Sequence, residues 1–128
     1  MAVGHTIKII PAGHHIEVSV GGQKLAESDR AMRLDETGLP ARYYIPREDV
    51  RTELLRPTAR KTTCPFKGQA SYWSALAGGE LHKNLVWSYE TPIPAAGQIA
   101  GLMCFYNERV QLIISEQHQR DRKTSSCR

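Results

Sequence analysis

The sequence predicts a mainly β protein: about eight short antiparallel strands in a sandwich or barrel-like arrangement, with one or two short helical turns. Three observations carry this. The run Ile16-Glu17-Val18-Ser19-Val20 alternates apolar and polar residues, the period of a half-buried strand. Gly21-Gly22 and Gly78-Gly79 each separate two strand-like runs, the signal of a tight hairpin turn. Prolines at 11, 40, 46, 57, 65, 92 and 94 punctuate the chain and leave little room for helix.

The elements follow in order. Ile7-Lys8-Ile9-Ile10 is a short apolar piece stopped by Pro11-Ala12-Gly13. Gln23-Lys24-Leu25-Ala26-Glu27 is the return arm of the first hairpin, and Ala31 to Glu36 alternates as a further strand. Thr37-Gly38-Leu39-Pro40 breaks it before Arg42-Tyr43-Tyr44-Ile45. Pro46 opens one short helix running to about Thr52, since its missing N–H is unneeded there and Glu48 and Asp49 favour the first turn. Pro57 is read as a stop, and Thr58 to Thr63 is a strand or loop that delivers Cys64. Ala70 to Leu76 is a strand with Tyr72 and Trp73 on opposite faces; Glu80 to Tyr89 is a longer one with Trp87 and Tyr89 on one face. A helical turn over Ala95 to Ala100 leads to a buried strand, Gly101 to Tyr106, and a last strand, Val110 to Ile114.

The chain of 128 residues, 41% apolar and 23% charged, suits one soluble domain over 1–115 with a flexible, basic tail over 116–128. The tail supplies half of the net charge of +4, so the body lacks the concentrated basic face of a nucleic-acid reader, and no nucleic-acid partner is expected. There is neither a membrane-length apolar run nor a secretory leader pattern, which gives a cytoplasmic expectation. Three cysteines without a C-x-x-C pair argue against a disulfide framework or zinc ribbon. Adjacent His14 and His15 point to opposite faces of a strand, so no metal site is expected of them.

The chemically densest stretch is Thr63 to Trp73, with Cys64, Lys67, Gly68, Tyr72 and Trp73. A thiol near positive charge is a candidate nucleophile, which makes Cys64 the candidate catalytic residue, with a small buried hydrophobe as its other reading. Lys67 and Arg47 are candidate anion contacts, and Tyr44, Tyr72, Trp73 and Trp87 candidate walls of a pocket that would stack on a ring. Glu48 and Asp49 are explained by their place at a helix start.

Five blocks occur in order: Tyr43 to Val50, Cys64-Pro65-Phe66-Lys67-Gly68 with Tyr72-Trp73, Val86-Trp87-Ser88-Tyr89 with Pro92, Ile99-Ala100-Gly101, and Phe105-Tyr106. Together they resemble the bacterial domain-of-unknown-function family 427, over roughly residues 16–115. The resemblance implies a β-tent fold, shared with guanine-nucleotide-exchange accessory proteins and methionine sulfoxide reductases of the second type. Many of those bind zinc through C-x-x-C knuckles that this chain lacks, so neither zinc nor another cofactor is expected. The family has also carried a nucleotidyltransferase label. The expected function is binding of a small anionic or ring-bearing ligand by Tyr44, Arg47, Lys67, Tyr72, Trp73 and Trp87. The alternatives are an enzyme using Cys64 as nucleophile or redox thiol, a nucleotidyltransferase-like activity, and a protein-interaction module.

Overall fold

The computed structural model describes residues 5–116. Ten strands build it: β1 (Ile7–Pro11), β2 (His15–Val20), β3 (Gln23–Ser28), β4 (Met32–Glu36), β5 (Arg42–Ile45), β6 (Leu55–Cys64), β7 (Gly68–Ala77), β8 (Glu80–Ser88), β9 (Met103–Phe105) and β10 (Gln111–Ser115). All pair antiparallel, in a seven-stranded sheet ordered β1-β4-β5-β9-β8-β7-β6 and a three-stranded sheet ordered β10-β2-β3. The fold is mainly β, as the alternation predicts. The tail expected over 116–128 lies, beyond Glu116, outside the described residues.

Three details refine the expected fold. There are more strands than the eight expected, because Ile7–Pro11 and Leu55–Cys64 are both strands. The first is too short to show a period and gains its order by pairing with β4, from Ile7↔Glu36 to Pro11↔Met32. The second contains Pro57, tolerated because β6 is a sheet edge. The large sheet is also open, with β1 and β6 at its edges, so it is not a closed barrel. Finally, the helix expected from Pro46 is two 3-10 turns, Arg47–Asp49 and Thr52–Leu54. The backbone between them is claimed by β3: Val50 bridges Ala26, and the Arg51 N–H donates to the Leu25 carbonyl at 2.8 Å.

One face of the large sheet meets the small sheet over Ile16, Val18, Leu25, Ile45, Val86 and Phe105. Its other face carries a second buried cluster, including Leu34, Tyr44, Trp87 and Cys104 together with Ala96 and Ile99 of the 3-10 segment Pro94–Ile99. The centre of the sheet is therefore covered on both sides, and Leu85 through Ser88 of β8 are buried without alternation.

Three local features recur below. The β6–β7 register slips between Pro57 and Lys61, and the β7–β8 register between Trp73 and Ala75. Inside the second slip Asn84 sits at φ 51°, the left-handed region. It is held there by a hydrogen bond from Thr58 Oγ1 to its Oδ1 at 2.7 Å and one from its N–H to Ser74 Oγ at 3.0 Å. The turns Gly21-Gly22 and Gly78-Gly79 touch main chain to main chain: a Cβ added at Gly21 would lie 3.1 Å from the Gly78 Cα.

Candidate functional site

Register sets the site. Tyr44 pairs with Cys104, Cys104 with Trp87, and Trp87 with Tyr72. Four neighbouring strands, β5, β9, β8 and β7, thus place one row of side chains straight across the sheet. The Trp87 indole N–H donates to the Tyr44 hydroxyl at 3.1 Å, and the two rings meet edge to face, 85° apart. Cys104, fully buried between them, keeps its thiol pKa high because burial disfavours the thiolate.

A cavity of about 170 Å³ opens over this row. Its walls are Tyr44, Tyr72, Trp87, Tyr89 and Tyr106, with Leu34 beneath. Exposed Leu39 and Pro40 form its rim. Its charged groups are Glu36, Lys67 and Arg42. The Lys67 ammonium is paired with Glu36 Oε1, and the other Glu36 oxygen meets His5 Nε2 at 3.1 Å. His5 in turn stacks on Phe66 at 4.1 Å. Arg42 is paired with Glu108 at 3.0 Å and lies over Trp87, 5.3 Å from its ring centroid.

Three phenols of the wall, Tyr44, Tyr89 and Tyr106, are held in the neutral form. Burial raises the Tyr44 pKa, and burial with nearby Cys64 and Tyr72 raises that of Tyr89. Burial and a hydrogen bond with Tyr72 raise that of Tyr106. The cavity therefore offers neutral hydroxyls, aromatic faces and a charge-compensated pair.

The cavity gathers Tyr44, Lys67, Tyr72 and Trp87 from the residues singled out in the sequence. Arg47, Trp73 and Cys64 stand outside its lining. Arg47 donates to the Gly101 carbonyl at 3.0 Å and to Glu90 at 2.8 Å, and lies over Trp73 at 5.0 Å. Trp73, on the opposite face of β7 from Tyr72, packs on the core between the sheets. Cys64 ends β6 opposite Gly68, half-buried beside the aromatic cluster, and its carbonyl accepts the Lys67 N–H at 3.1 Å. The Lys67 ammonium, three positions along the chain from that thiol, is committed to Glu36.

The polar and aromatic lining also includes Glu36, Arg42, Tyr89 and Tyr106, which are not among the site residues expected. Glu36 carries a readable signal: it shares strand parity with Leu34, which places a carboxylate on the core-facing side. Among the described residues, His15, Glu17 and Glu27 are the one group with ligand atoms in range of a metal. The His15 ring already bridges Asp29 and Glu27, each at 2.7 Å.

Among the described residues, no helix is long and apolar enough to cross a membrane. No curated protein matches the chain. Residues 8–116 match the model of a domain of unknown function, DUF427. With most of its length matched, the chain belongs to the DUF427 family.

Proposed function

We propose that this protein binds a small ligand bearing a single ring in the cavity over the Tyr44–Trp87 row. The observation that carries the reading is a space of about 170 Å³ walled by five aromatic side chains around a buried ion pair. An apolar cavity of about 150 Å³ takes up one benzene ring, while sites for drug-sized ligands start near about 300 Å³. The size therefore favours one ring over a nucleotide. Aromatic contacts beyond simple burial add about 0.5–1.5 kcal/mol per pair. The neutral phenols and the Glu36–Lys67 pair supply donors and acceptors that orient the ring's polar substituent. Lys67, already compensated by Glu36, favours a ring with a neutral polar group at this position over a bare anion.

The protein has two tryptophans, so Trp73→Phe leaves Trp87 as the sole indole reporter at the cavity. Titration with phenol should give a saturable change in Trp87 emission and a rise in melting temperature, both lost in Tyr72→Ala. Absence of saturation and of stabilisation with phenol and with benzyl alcohol would defeat the reading.

A further inference from the structure

A second depression, of about 300 Å³, adjoins the aromatic cavity across Tyr106 and is lined by Arg60, Lys83, Asn84, Tyr106 and Arg109. Its three cations stand together with no carboxylate in the lining. Arg30, Arg33, Arg42, Arg47 and Lys67 each have a carboxylate partner. Arg60, Lys83 and Arg109 have none among the described residues. Like charges gathered without counter-charge repel, and it is the backbone that gathers them. The slip in β6 between Pro57 and Lys61 includes Arg60, and the slip in β8 includes Lys83 and left-handed Asn84. Bulges re-aim side chains in this way and recur beside functional sites. The two slips are tied to each other by the Thr58–Asn84 hydrogen bond, and Arg109 Nη1 reaches the Asn84 carbonyl at 3.4 Å.

The cluster also touches the ring site. The Arg60 guanidinium lies over Tyr72 at 5.0 Å and that of Arg109 over Tyr106 at 5.9 Å, and both rings wall the aromatic cavity. We infer that Arg60, Lys83 and Arg109 bind the phosphate monoester of a ligand whose ring occupies the aromatic cavity. This inference rests on the ring-binding reading and names the ligand class for it. A dianionic phosphate presents oxygens to several donors at once, and guanidinium forks suit its edges. It supplies the counter-charge that the fold withholds.

Calorimetry on the full chain at low salt tests this with 2-phenylethyl phosphate, 2-phenylethanol and inorganic phosphate. The ester should bind at least about tenfold more tightly than the alcohol, the scale of one charge-assisted contact. The exposed double variant Lys83→Ala/Arg109→Ala should erase that gain, so that it binds the ester no more tightly than the alcohol. An ester no tighter than the alcohol, or a gain that survives the double variant, overturns the anion site and leaves the ring reading standing. Inorganic phosphate that binds only when Lys83 and Arg109 are present, with no binding of the alcohol, removes the ring reading and keeps the anion site. No binding of any of the three sinks both.

Discussion

Glu36 at the end of β4 and Lys67 in the β6–β7 turn form an ion pair across 31 positions of the chain, and each is 8% exposed. His5 is the remaining partner of Glu36. Removing one member of a buried pair strands the other charge, at a cost of about 3–5 kcal/mol, whereas apolar replacement of both is often neutral or stabilising.

Lys67→Met should therefore lower the unfolding free energy by about 3–5 kcal/mol, and Glu36→Leu/Lys67→Met should recover most of it. Urea denaturation measures both. A single-variant loss within the roughly 0.5 kcal/mol of an ordinary surface change would contradict a buried pair.

Tyr44 accepts the Trp87 indole N–H inside the core. Tyr44→Phe leaves that donor buried and unpaired, and should cost about 1–3 kcal/mol. The phenol also sets an alkaline limit. Burial raises its folded-state pKa above the unfolded value of about 10. The unfolded chain thus loses its proton first, so the contribution is complete below about pH 10 and is lost as the pH climbs beyond it. Denaturation from pH 8 to 11 should show a steeper fall for the wild type than for Tyr44→Phe; parallel curves would assign the fall to other groups.

His15 works in a lower window. The hydrogen bond to Asp29 raises its pKa, against partial burial and with support from Glu27; Glu17 and Lys24 complete its surroundings. A folded pKa above the unfolded value of about 6.5 means that the contribution is complete below about pH 6.5 and is lost as the pH rises through the folded pKa. His15→Gln should remove this component and flatten the stability profile above pH 6.5. A variant as pH-sensitive as the wild type across that range would show that the imidazolium is not the group responsible.

What was legible in the sequence divides along chain distance. The turns at Gly21-Gly22 and Gly78-Gly79 are local chemistry, and both hairpins form where the glycine pairs stand. The opposite faces of Tyr72 and Trp73 follow from strand periodicity, and the structure separates them accordingly into the two clusters. What local pattern does not contain is partnership. Ile7–Pro11 is a strand because of β4, and the turns after Pro46 stay short because Arg51 is bonded to Leu25. The site follows the same rule. Trp87 and Tyr72 could be named as wall candidates from their type, but Lys67 and Glu36 have no local relation that marks them as a pair. Arg47 is an anion candidate by type, as Lys67 is, yet its planar group settles on Trp73 and Glu90.

The contact between Gly21 and Gly78 bears on where the molecule opens first. Strand β7 begins just after Lys67 and ends just before Gly78. One end is anchored by the ion pair to β4, the other by a glycine contact that admits no side chain, and both edges are zipped to β6 and β8. Fraying has no free end on which to start along β7. It begins instead at the sheet margins, where β1 and β10 each have one neighbour, while the strand that carries Tyr72 is among the last to come undone.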